Sequence, residues 1–176
     1  GIEMAKFGML IRIDRCNGCY SCYLACRDEF ESNDYPPYSA AQPAEGRSWM
    51  RVAERERGAT PKVKGDYVAT PCLHCANAPC VDRSGDGAVY RRRDGIVDFD
   101  SRRCIGCKAC LQGCPYDALY IDPRSETAAK CNFCAHRVEV GLEPPCVTVC
   151  PTQAIVAGDL DDPDSDTLRI DLPVRL

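Results

Sequence analysis

From Phe7 to Asp14 apolar and polar residues alternate closely enough to predict a strand, and from Tyr20 to Glu31 the spacing changes to that of a short helix carrying Cys22 and Cys26. Further on, Val89–Arg91 and Ile96–Phe99 read as the arms of a hairpin, because Arg93-Asp94-Gly95 holds a turn dipeptide between them. Gly95 to Asp100 repeats the strand, Cys107 to Cys114 repeats the helix, and Leu119–Asp122 and Ile155–Ala157 read as return strands. Between these runs, Ser32 to Gly65 is rich in Pro, Ser, Gly and charge. Its weak periodicity predicts an inserted loop, at the surface or against a partner. It holds the single tryptophan, Trp49, read as a packing residue over a neighbouring loop, with a docking anchor as the second reading.

After Gly158 come Asp159, Asp161, Asp162, Asp164 and Asp166, read as an acidic loop. Leu168, Ile170, Leu172 and Val174 then alternate with polar positions, as a strand added here or to a partner requires. The basic run Arg91, Arg92, Arg93 reads as a solvated turn. With a net charge of -4 the surface gives no support to a nucleic-acid face. No stretch approaches the roughly 20 apolar residues that span a bilayer, and no apolar leader follows the start. Gly1 to Glu3, ahead of Met4, lie outside the expected domain.

Composition changes the picture more than charge does. The 176 residues include 15 cysteines and only 2 histidines. Without those cysteines the apolar fraction falls from 45% to roughly 36%, thin for a core that holds itself together. An odd count argues against a closed disulfide scaffold, and two histidines argue against repeated Cys/His zinc sites.

The cysteines fall into four groups. Cys16, Cys19, Cys22 and Cys26 read C-x2-C-x2-C-x3-C; Cys72, Cys75 and Cys80 read C-x2-C-x4-C. Cys104, Cys107, Cys110 and Cys114 precede Pro115, and Cys131, Cys134, Cys146 and Cys150 precede Pro151. The third group matches the bacterial ferredoxin run C-x2-C-x2-C-x3-C-P in full. Three cysteines at steps of three turn their sulfurs inward along a loop around one iron-sulfur cube, while the fourth points away to a second cluster. The proline after it suits a chain leaving a helix, since it cannot extend the hydrogen-bond ladder. Zinc knuckles do not explain the proline endings, and disulfides use such tight repeats poorly. The fold class that follows is α+β: a single polyferredoxin-type domain, 4–176, of two interleaved ferredoxin-like units with a long inserted loop. One half is 7–31 with 128–157, the other 66–122, with the insertion at 32–65 and a tail at 158–176.

In this order and with the eleven-residue gap inside the last, the four motifs resemble the iron-sulfur electron-transfer subunits of the dimethyl sulfoxide reductase family of molybdopterin oxidoreductases. The resemblance implies that Cys16, Cys19, Cys22 and Cys150 hold one cluster, Cys131, Cys134, Cys146 and Cys26 a second, and Cys72, Cys75, Cys80 and Cys114 a third. It leaves Cys104, Cys107 and Cys110 one ligand short. Where the spacing after Cys80 asks for cysteine stands Ser84, in the turn Ser84-Gly85-Asp86-Gly87. Ser84, Asp82, Asp86 or hydroxide would complete a 4Fe-4S cube there. Otherwise the site is 3Fe-4S, or Ser84 is a bystander in its turn. The implied cofactors are three 4Fe-4S clusters and a fourth that is 4Fe-4S or 3Fe-4S.

A narrower similarity is carried by Asp28-Glu29, Pro36-Pro37-Tyr38, the run from Trp49 to Gly58, and Cys72-Leu73-His74-Cys75-Ala76-Asn77-Ala78-Pro79-Cys80. These resemble the small subunits of the pyrogallol-phloroglucinol transhydroxylase group and of resorcinol-type hydroxylases. Small subunits of the transhydroxylase type lack the first three cysteines of motif three and carry a further C-terminal domain; this chain keeps Cys104, Cys107 and Cys110 and ends soon after motif four. A transhydroxylation moves no net electrons, so retention of that site favours a net redox reaction. The expected role is electron transfer between a large molybdenum or tungsten bis-pterin catalytic subunit, acting on an aromatic substrate, and a soluble or membrane electron carrier. A freestanding polyferredoxin electron carrier, or the small subunit of a transhydroxylase without net redox change, is the alternative. The chain has no acid-base constellation of its own: His74 and His136 lie beside cluster ligands, where they are expected to support rather than react. The oxygen-sensitive clusters favour the cytoplasm of an anaerobe, with co-export on a partner to the periplasm as the alternative.

Overall fold

The computed structural model describes residues 6–39, 41–42, 44, 47–162 and 164. Helix α1 (Ser21–Phe30) is the longest helix among them. Left-handed Tyr20 sets its start, and Asn33 closes its end by donating from Nδ2 to the carbonyls of Asp28 and Glu29, at 3.1 and 3.2 Å. Those two bonds satisfy carbonyls that a helix end leaves without intrahelical partners. The other helices are one turn long: α2 (Pro79–Asp82), α3 (Ala109–Gly113), α4 (Ala135–Val138) and α5 (Pro145–Thr148). Proline opens α2 and α5, where its missing N–H costs nothing.

Among the described residues eight strands pair as four separate antiparallel ribbons. Strand β1 (Phe7–Ile11) lies against β8 (Ile155–Asp159), Phe7 opposite Asp159, so the two ends of the described chain meet. Strands β2 (Val52–Ala59) and β3 (Lys62–Ala69) form an eight-residue hairpin. Strands β4 (Val89–Arg91) and β5 (Val97–Phe99) form the hairpin turned by Arg93-Asp94-Gly95, and β6 (Tyr120–Ile121) pairs with β7 (Ala128–Ala129). Helix α1 packs on α5, and α2 packs on α3. One buried cluster gathers Phe30, Trp49 and Met50 with cysteines of motifs one and four; a second gathers Val89, Val97 and Leu119 with cysteines of motifs two and three.

Three expectations need correction. The first strand stops at Ile11, and Ile13–Arg15 turn as a 3-10 helix into the cysteine loop. The insertion is not a bare loop, because 52–69 is the β2–β3 hairpin, which runs across position 65. Both of its faces are largely exposed, so no buried side imposed an apolar alternation on Val52-Ala53-Glu54-Arg55-Glu56-Arg57. Nor is Arg92 a solvated residue: it is half-buried and pairs with Asp94 at 2.9 Å, Asp98 at 3.6 Å and Glu139. Trp49 packs, its ring centroid 4.4 Å from that of Phe30. The alternating stretch Leu168 to Val174 lies outside the described residues.

Candidate iron-sulfur cluster sites

Residue by residue, the cysteine loops repeat two backbone shapes. In motifs one and three a left-handed glycine precedes the second cysteine, Gly18 at φ 71° and Gly106 at φ 70°. A left-handed Tyr20 or Lys108 follows it, both at φ 60°, and the next residue starts a helix whose second position is Cys22 or Cys110. Motifs two and four instead hold His74 and Phe133 left-handed before Cys75 and Cys134, and then place Cys80 and Cys146 second in the proline-led helices α2 and α5. Asn17 and Asn132 brace their loops by accepting the N–H of Cys19 and Cys134 at 3.2 and 3.0 Å. A third shape follows Ser84, Cys114 and Cys150. Three residues on, Gly87, Asp117 and Gln153 are left-handed, and a strand then begins.

These loops bring the thiols together in groups. Cys16, Cys19, Cys22 and Cys150 line one hollow, closed by Val52, Ala69 and Ile155. Cys72, Cys75, Cys80 and Cys114 line another, closed by Leu73, Val97 and Leu119. Cys26, Cys134 and Cys146 are buried in the first core with Cys131 packed against them. Cys110 faces Cys104 and Cys107.

The donor set fits iron-sulfur clusters. Burial first, and then the neighbouring thiols, push Cys22 and Cys110 up to about 11 and Cys26 up to about 12, so packed thiolates are disfavoured unless a cation core lies between them. Several sulfurs already accept N–H donors, from Ala154 to Cys150 at 3.2 Å, Ala118 to Cys114 at 3.4 Å and Phe133 to Cys131 at 3.4 Å. Such bonds favour a charged sulfur and tune a cluster's potential. Among the described residues no three His, Cys, Asp or Glu side chains converge as a single metal ion requires. A cube takes one thiolate at each of four separate irons, so its ligands stand around a space instead.

The groups also form a row. Cys146 and Cys26 are close enough to Cys22 to feel its charge, and Cys131 to feel that of Cys72. Helix α3 carries Cys110, and Cys114 directly follows it, which joins the last two groups. Cys19 and Cys107, in the outermost groups, are exposed, whereas Cys26, Cys134 and Cys146 between them are buried.

Of the other sequence candidates, His74 accepts the N–H of Val97 at Nδ1 at 3.0 Å, and burial above all holds its imidazole neutral. His136 meets Glu29 at 2.8 Å and stacks on Tyr35 with centroids 3.8 Å apart. Ser84 donates from Oγ to Asp86 Oδ1 at 2.7 Å and accepts the N–H of Val89 at 3.0 Å. Asp86 also accepts the N–H of Ala88 at 3.0 Å and, through Oδ2, that of Ile105 at 3.2 Å. The Ser84 hydroxyl and then those N–H groups hold its carboxyl below the usual carboxylate range. Asp82 is exposed on α2.

Sequence reasoning missed two residues. Gln42 donates from Nε2 to Cys26 Sγ at 3.8 Å. Lys130 is fully buried, and its Nζ donates to the carbonyls of Cys131, at 2.5 Å, and Val97. That ammonium is felt at both Cys80 and Cys131. Only its position beside Cys131 signalled it; a single lysine in a sequence does not announce its burial.

Cysteine loops of two repeating shapes, gathered into thiol groups and threaded through short ribbons, define a ferredoxin-like iron-sulfur protein. Residues 63–160 match the family described as a 4Fe-4S dicluster domain. The chain is 42% identical to the pyrogallol hydroxytransferase small subunit of Pelobacter acidigallici over 77% of its own length and 49% of the relative's. It is 39% identical to the B subunit of tetrathionate reductase of Salmonella typhimurium, over 94% of this chain and 62% of the relative. With the electron transfer subunit of thiosulfate reductase of Salmonella typhi the identity is 41%, over 89% and 78%. This protein belongs to the 4Fe-4S dicluster family, among the iron-sulfur subunits of molybdopterin oxidoreductases. It spans less than two thirds of the length of the first two relatives.

Proposed function

We propose that this chain is the electron-transfer subunit of a molybdenum or tungsten bis-pterin oxidoreductase. Its clusters relay electrons between the catalytic subunit and an external carrier. The observation that carries the reading is the row of thiol groups from exposed Cys19, through the buried Cys26 group, to exposed Cys107. One exposed cysteine in each end group, and none in the two groups between, suits a path that takes electrons in at one surface and releases them at another.

Two interleaved units make up the domain. Motif one pairs with motif four through α1 and α5, and motif two with motif three through α2 and α3. Cys16, Cys19, Cys22 and Cys150 hold the first cluster, Cys26, Cys131, Cys134 and Cys146 the second, and Cys72, Cys75, Cys80 and Cys114 the third. Cys104, Cys107 and Cys110 hold the fourth. What the clusters supply is one-electron redox chemistry; what the chain supplies is spacing, a dry apolar surround and hydrogen bonds to sulfur.

The partner is a large pterin subunit, with an aromatic hydroxylation as the favoured reaction and the cytoplasm as the favoured compartment. Support for the aromatic substrate is the pyrogallol enzyme's small subunit among the relatives. Purification of the native complex tests the reading: a large pterin protein is expected to co-elute with a chain carrying about 16 iron atoms. Elution of the iron-loaded chain alone favours a freestanding carrier.

A further inference from the structure

The fourth cluster site has three thiols and two oxygen candidates in one turn. Resting on the cluster reading above, we infer that the Asp86 carboxylate, and not the Ser84 hydroxyl, supplies the fourth ligand to the cluster held by Cys104, Cys107 and Cys110.

The turns after Ser84, Cys114 and Cys150 are copies, each with a left-handed residue at the third following position, Gly87, Asp117 and Gln153. In two of them the cysteine sulfur accepts the N–H of the fourth following residue, Ala118 to Cys114 and Ala154 to Cys150. In the third copy that N–H, from Ala88, goes to Asp86 instead. The carboxylate has taken over the acceptor role that the sulfur fills elsewhere.

Position brings Asp86 to the site as well. Its counterparts, second after each cysteine, are Tyr116 and Thr152, and each lines the thiol hollow of its own turn. Asp86 therefore stands at a wall position of the fourth site, and its Oδ2 reaches the N–H of Ile105, the residue after Cys104, at 3.2 Å.

Ser84 is differently engaged. It gives its only proton to Asp86 and accepts the N–H of Val89, so its oxygen is drawn toward the strand. To bind iron an alcohol must also lose its proton, whereas a carboxylate is a ready ligand for iron. Ser84 and Ala88 occupy Oδ1, which leaves Oδ2 as the oxygen that faces the Cys104 loop.

The test uses the full chain in its iron-loaded complex, read by iron content and electron paramagnetic resonance of the oxidised protein. Wild type is expected to show cubes only. Asp86→Asn, whose amide oxygen can still accept the Ile105 N–H, is expected to lose about one iron per chain and gain a 3Fe-4S signal. Ser84→Ala is expected to keep both the iron count and the cube. A cube that persists in Asp86→Asn, a 3Fe-4S signal produced by Ser84→Ala alone, or a 3Fe-4S cluster already present in wild type each overturns the assignment. A wild-type chain without acid-labile sulfide overturns the cluster reading itself.

Discussion

The ring of Tyr67 lies across Gly18, so close that a Cβ on residue 18 would stand 2.5 Å from the ring carbons. Through this contact the β2–β3 hairpin, which buries little of itself, clamps the motif-one loop. Gly18 is also left-handed at φ 71°, so two independent constraints exclude a side chain. Gly18→Ala is expected to lose about 1–3 kcal/mol from backbone strain alone, with a further loss from the ring and a fall of up to about four iron atoms per chain. Adding Tyr67→Ala recovers only the part due to the ring. Denaturant melts and iron assays of the two variants measure both parts; full recovery in the double variant would show that the left-handed backbone costs nothing here.

Cys114 belongs to motif three in sequence but to the motif-two hollow in space. Cys114→Ser is therefore expected to alter the potential and spectrum of the cluster bound by Cys72, Cys75 and Cys80. Cys110→Ser is expected to alter the other one. Redox titration followed by paramagnetic resonance distinguishes them, and the same cluster changing in both variants would refute the crossed arrangement.

Lys130 buries a cation beside cysteines of motifs two and four. A positive charge stabilises a cluster more after it gains an electron, so Lys130→Met is expected to lower the potentials of the second and third clusters together. The variant also strands the carbonyls of Val97 and Cys131, at about 1–3 kcal/mol for each unsatisfied group. A stability loss with unchanged potentials would leave Lys130 a purely structural residue.

Glu139 joins Arg92 and the hydroxyl of Tyr38, the latter at 2.5 Å. Burial pushes its carboxyl up, but Tyr38 and Arg92 outweigh that and hold it below the usual glutamate range. A lowered folded value means stability that is present above the unfolded value of about 4.3 and lost as pH falls through the folded one. Wild type is expected to melt above Glu139→Gln at neutral pH, with the gap closing below about pH 4. A gap constant from about pH 7 to about pH 3.5 would show that the charge is not the source.

The sequence made the thiol groups legible because cluster ligation is a matter of spacing, and spacing survives in one dimension. Arg93-Asp94-Gly95 announced the β4–β5 hairpin for a similar reason, since its turn chemistry is local. The β2–β3 hairpin was invisible, because a ribbon with two wet faces carries no apolar period. Tyr20, Lys108, His74 and Phe133 take left-handed conformations that no glycine marks, each directly beside one cysteine of its loop. Arg92 reads as surface charge and Lys130 passes unmarked, because burial of a cation depends on acceptors far along the chain, Glu139 for the one and the Val97 carbonyl for the other.

The pairing of β1 with β8 sets a timetable for biogenesis. Motif one leaves the ribosome early, yet its hollow lacks Cys150, and the strand that anchors it has no partner until Ile155–Asp159 has been made. Most of the chain would emerge with half-built thiol loops open to oxygen. A cluster shared by Cys16, Cys19, Cys22 and Cys150 would then wait until Cys150 has been made, which leaves the nascent chain dependent on whatever shields its thiols until the two strands meet.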